Sequence, residues 1–440
     1  MTSDSSRSGL ISFGSGQLSR SVLWCATDML IAYHLVERVG FSGRIAGSIM
    51  FVTFALSALP DVFVAHWLVR RSFPAEAALR LQSIFGVLAA LTGIAMFWPP
   101  PAEWHNKIIY VCISSIAFRM SYAIYDVSQN SLISLLPKTP YDVRRFVTSK
   151  TLASSVGRLF ASVLVGLALT SRTSPLIDAG IMALIALLVI PTCVGLSRVT
   201  VVAGPAQGTQ AAFRWSTLPF RRLAIPIVAI TFQVGFLGLI SRLLPLYGHG
   251  EAGYAESSAL LMAMVCGTII GPPLAHSIGA HGNGRPILLA TMLPAGAMLT
   301  GIALVVPHGV FVSVSLAILY GVTLSGITNL IWERAALVAT EHATATTIRI
   351  DGPVFALLTT AIKLAIAGSN VTFGFVLEGF RAGTAISILT IMFVVVAGGV
   401  GTAMTLVPLD VWLPSALRKG KRPRSPETPD LRTASGSQNR

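Results

Sequence analysis

Long apolar runs alternate with short polar breaks along most of the chain. A run of about 20 apolar residues crosses a ~30 Å hydrocarbon core as a helix, and twelve such runs are predicted. The first six cover residues 21–39, 47–69, 79–98, 108–135, 150–170 and 175–196. The second six cover 223–247, 255–278, 285–306, 310–332, 352–376 and 383–407. The longest internal break, polar and containing Gly and Pro, is 197–222, close to the middle. The pattern predicts a short N-terminal segment (1–20), a six-helix bundle (21–196), a central loop (197–222), a second six-helix bundle (223–408) and a basic, disordered tail (409–440).

An echo supports internal duplication: Ala65-His66 closes the second span and Ala275-His276 the eighth. Two parallel six-helix repeats around a central cavity are the plan of the major facilitator fold. The expected fold is therefore an all-α membrane protein of twelve helices. Lys and Arg crowd the breaks after even-numbered spans, as in Arg70-Arg71, Arg144-Arg145, Arg221-Arg222 and Arg349. By the positive-inside rule those breaks and both termini are cytoplasmic, in an inner membrane. The N-terminal stretch lacks the basic-then-apolar order of a cleaved signal, so the first span is expected to act as its own insertion signal.

Composition agrees and narrows the classes. Of 440 residues, 53% are hydrophobic and 11% charged, where soluble domains carry roughly 25% charged residues. The net charge of +14 is spread over loops and tail, the pattern of cytoplasmic segments rather than a nucleic-acid surface. Cys25, Cys112, Cys193 and Cys266 are scattered through apolar runs and read as small buried hydrophobes, giving neither a disulfide nor a metal framework. No cofactor is expected. The expected partners are a small-molecule substrate and the lipid bilayer, with the protein a monomer.

The candidate chemistry lies where charge is expensive. An ionised group at mid-bilayer costs about 2.5–3.5 kcal/mol on insertion scales and turns toward a bundle interior or wet cavity. Asp28, Asp61, Asp126, Arg119, Arg158 and Lys363 fall inside spans, three acids against three bases. Arg119, Tyr122, Asp126 and Asn130 share one stripe of the fourth span, either the wall of a solute cavity or a polar seam between helices. Arg158 reads equally as a cavity residue or a snorkelling one. Lys363 has no acid nearby in its own span, so its partner comes from another span or from a bound anion; Asp126 or Asp61 is the expected partner. His34 reads as a packed residue, and Glu37 and Asp178 as groups near water at span ends.

Residues 122–132 read YAIYDVSQNSL, and 141–145 read YDVRR. The stretch 36–42 reads VERVGFS, and Arg349 precedes Lys363. These segments resemble the glycoside–pentoside–hexuronide cation symporters, over about residues 20–410. The resemblance implies a carrier of a sugar or similar solute driven by a cation. It places Asp61 and Asp126 as cation-coupling residues, and Lys150, Gly157 and Lys363 at family positions. Three departures bear on mechanism. Ser128 replaces a proline, Ser57 replaces the first of two helix-2 carboxylates, and Ser21 stands where the family has a sugar-binding acid, with Asp28 two turns along as a substitute.

The reading that follows is a secondary active transporter working by alternating access. Asp28, Arg119, Tyr122, Asp126, Asn130, Lys150 and Lys363 are the candidate substrate-binding residues. Ser57, Asp61 and Asp126 are the candidate coupling residues. H⁺ is favoured over Na⁺, because a Na⁺ cage wants several hard oxygen ligands and Ser57 removes a carboxylate. The alternative is an exporter of an anionic or amphipathic metabolite on the same fold. A membrane enzyme or channel finds no motif: neither a metal set, a nucleophile triad nor a repeated filter loop is present.

Overall fold

The computed structural model describes residues 2–71, 74–137, 140–170, 176–198, 215–247, 251–280, 310–346 and 348–381. The ninth and twelfth expected spans, most of the central loop and the tail 409–440 lie outside the described residues. Among the described residues the structure is helical, without strands.

The first half is α1 (Thr2–Tyr33), α2 (Gly43–Leu56), α3 (Ala58–Val69), α4 (Pro74–Met96), α5 (Trp104–Leu135), α6 (Pro140–Thr170) and α7 (Ile177–Ser197). The second half is α8 (Phe220–Tyr247), α9 (Glu251–Ala280), α10 (Val310–Thr346) and α11 (Asp351–Arg381). Ten of the twelve expected spans are thus met by helices, the second span by α2 and α3 together. Gly43–Val69, Pro74–Met96, Trp104–Leu135, Ile177–Ser197 and Asp351–Thr372 are long and apolar enough to cross a membrane.

Three boundaries differ from expectation for one reason: a helix that leaves the bilayer no longer needs to be apolar. Residues 2–20, expected as a solvated segment, form the first turns of α1, with Phe13, Gln17, Ser19 and Arg20 buried. Their small side chains admit neighbours; Gly16 sits against Gln129 and Leu196, and Thr192 Oγ1 donates to Ser19 Oγ at 2.6 Å. The YDVRR segment forms early turns of α6 behind Pro140, whose missing N–H is harmless in a first turn. Past Trp332, α10 continues to Thr346.

The second span breaks between α2 and α3 at Ser57. Pro60 offers no N–H to the Leu56 carbonyl, and the ladder opens just before Asp61. In the first half, α4 packs between α5 and α7, and α1 lies along α6. Gly157 allows that last approach, since a Cβ there would meet the Leu18 carbonyl at 2.9 Å. In the second half α9 and α10 form the closest pair; Gly321 faces the Met264 backbone, leaving no room for a side chain. Among the described residues the halves meet along two seams, α11 on α2, α3 and α5, and α6 on α9 and α10.

At the far end of α1 the sequence reading needs correction. Asp178 is 0% exposed and His34 2%, and His34 Nδ1 lies 2.8 Å from Asp178 Oδ2. A π-helical turn, His34–Arg38, ends α1 and carries His34 inward against Phe97. Asp178 is therefore a buried partner and not a water-exposed end group.

Candidate functional site

Between the halves lies a cavity of about 220 Å³. That is smaller than the roughly 300–1,000 Å³ of pockets for drug-sized ligands, so it suits a solute of about one ring. Both halves line it. From α1 come Arg20, Trp24 and Asp28; from α5, Tyr122, Asp126 and Asn130; from α6, Lys150, Ser154 and Arg158. The second half supplies Gln233, Thr268, Ser325, Thr328, Trp332 and Lys363.

The helical period explains the first wall. Arg20, Trp24 and Asp28 are spaced four apart on α1, as are Lys150, Ser154 and Arg158 on α6, so each set forms a stripe. Ser21 Oγ donates to Ser154 Oγ at 2.9 Å and ties the two stripes together.

Two ion pairs organise the charges. Arg20 pairs with Asp126, and Asn130 Nδ2 donates to the same carboxylate at 3.0 Å. Lys363 pairs with Asp61 and donates to the Ser57 carbonyl at 3.2 Å. The second pair joins α11 to α3 and is buried on both sides, with side chains 2% and 0% exposed. Of the two partners expected for Lys363, the structure selects Asp61. Asp61 and Ser57 therefore stand behind Lys363, outside the cavity lining. The Ser57 hydroxyl donates to the Phe54 carbonyl at 2.7 Å.

Arg119 departs from expectation. It is 2% exposed and outside the cavity lining. Its guanidinium carbon lies 3.6 Å from the Phe54 ring centroid and 5.2 Å from that of Trp24, within cation–π range. The backbone stripe does point Arg119 inward, but the aromatic layer formed by Phe54, Trp24 and Tyr122 lies beside its long side chain. Asp28, Tyr122, Asp126, Asn130, Lys150 and Lys363 do line the cavity. Arg158 does so too, which decides its open reading for the cavity.

Lys150 has a different setting from the other cations. Its ammonium lies 2.8 Å from the Trp332 ring centroid, across the interface from α6 to α10. Trp332 stacks in turn on Phe355 at 5.8 Å. At the end of the bundle where α5 finishes, further links join the halves: Arg144 Nε lies 3.0 Å from Glu333 Oε1 and Arg349 donates to the Ser134 carbonyl at 3.0 Å. In the cavity wall, Ser155 Oγ donates to the Thr268 carbonyl at 2.7 Å.

Sequence reasoning missed Arg20, placed in a loop, and the uncharged residues of the second wall. Arg20 had a signal: its four-residue spacing from Trp24 and Asp28. Gln233, Thr268, Ser325 and Thr328 had none, since a single amide or hydroxyl in a span is cheap. The expected balance of three acids and three bases also changes, because Arg20 and Lys150 join the set. Among the described residues, no group of three or more His, Cys, Asp or Glu side chains is placed to hold a metal ion.

The chain resembles known transporters over nearly its whole length. The bacterial homologue of the iron transporter ferroportin, in an outward-facing state, superposes with a TM-score of 0.66 at 14% identity, covering 92% of this chain and 99% of that one. The proton:xylose symporter XylE gives 0.66 at 14% identity, covering 92% and 96%. The nucleoside transporter NupG gives 0.61 at 14%, covering 91% and 99%. These likenesses establish the major facilitator fold. YagG of Escherichia coli strain K12, named as a glycoside/cation symporter, is 24% identical over 153 residues, which span 34% of this chain and 33% of YagG. The match thus reaches about a third of that relative's length. The model of the family described as MFS/sugar transport protein matches residues 12–408, and the chain belongs to that family of transporters.

Proposed function

We propose that the protein moves a small polar solute, a sugar or a related compound, across the inner membrane by alternating access, with H⁺ as the coupling ion. Both termini are then cytoplasmic, and the protein works as a monomer with a small-molecule substrate. The observation that carries this reading is a small cavity lined from both halves, with Lys363 in its wall and the Asp61–Lys363 pair behind that wall joining the halves. A site shared between two bundles is exposed to opposite sides when the bundles rock.

The choice of H⁺ rests on what already occupies the carboxylates. The Lys363 ammonium sits between the Asp61 carboxylate and the Ser57 carbonyl. The Arg20 guanidinium holds Asp126. A Na⁺ ion would have to displace a fixed cation from either place and then find further hard oxygen ligands. A proton needs only a lone pair on Asp61; protonation weakens the pair and frees α11 from α3. The iron and nucleoside neighbours share the fold alone and give no substrate.

The test is uptake of labelled sugars and related solutes into proteoliposomes. An inward H⁺ gradient is expected to drive accumulation, and an inward Na⁺ gradient at constant pH is not. Accumulation driven by Na⁺ at constant pH would overturn the coupling assignment.

A further inference from the structure

One helix of the second half carries two prolines in its interior. Pro272 and Pro273 follow Gly271 in α9. A proline has no N–H for the carbonyl four residues earlier, so the Thr268 and Ile269 carbonyls lose their helical donors. The Thr268 carbonyl finds its donor in the other half: Ser155 Oγ on α6 reaches it at 2.7 Å, in a buried hydrogen bond.

The two sides of this break are held differently. Ahead of it, α9 is clamped to α10. A Cβ at Gly267 would strike the Ile318 carbonyl, and one at Gly271 the Val322 carbonyl, so the two backbones touch there. Beyond the break, residues 274–280 run toward the end of the bundle where α5 finishes. There His276 Nδ1 lies 3.3 Å from Thr148 Oγ1 of α6. Thr148 and Ser155 are seven residues apart, on one stripe of α6. Thus α6 holds α9 at the break and near its tip, while the glycine contacts with α10 stop at the break. The other seam has a related arrangement. Lys363 donates to the Ser57 carbonyl, at the point where the second span breaks ahead of Pro60. Each seam therefore places a donor from the opposite half on a carbonyl beside a proline-bearing break.

We infer that residues 274–280 of α9 form a hinged gate at this end of the carrier, bending at Gly271-Pro272-Pro273. Ser155 on the Thr268 carbonyl and Thr148 on His276 are its latch. The inference deepens the alternating-access reading and rests on it. Pure rocking carries α9 and α10 together as one body. A hinge confined to a few residues lets the tip of α9 change its distance to α10 as well as to α6. Releasing Ser155 costs the backbone little, because Thr268 lines the cavity and its carbonyl passes to water. The segment beyond the hinge is roughly 10 Å long at 1.5 Å per residue, and a kink of about 20° moves its tip by about 3–4 Å.

The test measures distances in the full chain in lipid nanodiscs by pulsed electron paramagnetic resonance. Spin labels are carried on p-acetylphenylalanine, so the native cysteines stay, and are placed at the exposed positions Ser277, Thr344 and Ser197. The 277–344 pair lies within the second half, and the 197–277 pair crosses between the halves. Releasing the latch with Ser155→Ala and Thr148→Val is expected to lengthen the 197–277 distance and to shift the 277–344 distance by about 3–4 Å. Adding Pro272→Ala and Pro273→Ala restores the missing N–H donors and is expected to return the 277–344 distance to its starting value. The inference is overturned if either distance is unchanged on latch release, or if the 277–344 shift survives the proline replacements. A longer 197–277 distance with 277–344 fixed would mean rigid rocking, which leaves alternating access standing without the hinge. No solute or H⁺ gradient enters the measurement, so failed uptake in proteoliposomes would count against the proposed function and not against the hinge.

Discussion

The two walls of the cavity are built differently. The first-half wall holds Arg20, Asp28, Asp126, Lys150 and Arg158, with Asp61 and Arg119 in the layer behind. The second-half wall holds Gln233, Thr268, Ser325, Thr328 and Trp332 and, among the described residues, a single charge, Lys363. Even that charge reaches across to the first half. Among the described residues, the ionisable chemistry around the cavity is thus concentrated in one half. On the proposed function, the charged wall carries the coupling and its own contacts to the solute, the uncharged wall adds neutral contacts, and Lys363 is the link through which a proton on one half alters the other.

The sharpest way to break this division is at the link. Asp61→Asn strands a buried ammonium, a loss typically worth about 3–5 kcal/mol. We expect a larger drop in melting temperature than from any other single substitution in the cavity walls, measured by scanning fluorimetry in detergent. Replacing both partners, Asp61→Asn with Lys363→Met, should recover most of it, because no uncompensated charge remains. A double variant no more stable than the single one would mean that the pair does not join the halves.

A smaller effect separates the cavity-facing charges from those behind. Arg119→Met removes a buried cation–π contact worth about 2 kcal/mol. Stability should fall by about that amount, while solute KM stays within roughly twofold, since the guanidinium does not reach the cavity. A KM rise of tenfold, about 1.4 kcal/mol, with unchanged melting would return Arg119 to the binding wall, where its sequence stripe had placed it.

The smallest effect is expected on the uncharged wall. Gln233 donates to the Leu324 carbonyl and to Thr328 Oγ1, both at 2.8 Å, while its Oε1 has no partner among the described residues. Gln233→Leu should raise KM by several-fold, the scale of one neutral hydrogen bond at about 1 kcal/mol. The dependence of uptake on the H⁺ gradient should not change. Loss of that dependence would show that coupling extends into the second half.

The same contrast explains what the amino-acid sequence alone makes legible. Spans were legible because the hydrocarbon core imposes length and apolarity, and ten of the twelve are met by helices. Asp28, Asp126, Lys150 and Lys363 were legible either as costly charges or through the family resemblance, and all four line the cavity. Side-chain direction was not legible: Arg119 and Asp126 share a stripe, but only an aromatic layer contributed by α1 and α2 decides that one turns aside. Arg20 was hidden by its setting, because a Ser- and Gly-rich stretch reads as loop until α6 and α7 are seen packed against it. His34 and Asp178 each looked ordinary alone. Their pairing joins positions 144 residues apart, beyond any local pattern. The second wall was silent because hydroxyls and amides leave no energetic mark in an apolar run.

The claim that a proton on Asp61 couples solute movement to the H⁺ gradient is tested most directly by comparing two modes of transport in one variant. Proteoliposomes carrying Asp61→Asn with Lys363→Met are assayed for exchange of labelled solute at equal concentrations, and for accumulation under an inward H⁺ gradient. The account predicts that exchange persists and accumulation is lost, because the carrier still rocks but no longer needs the proton. Accumulation at the wild-type level in that variant would contradict it.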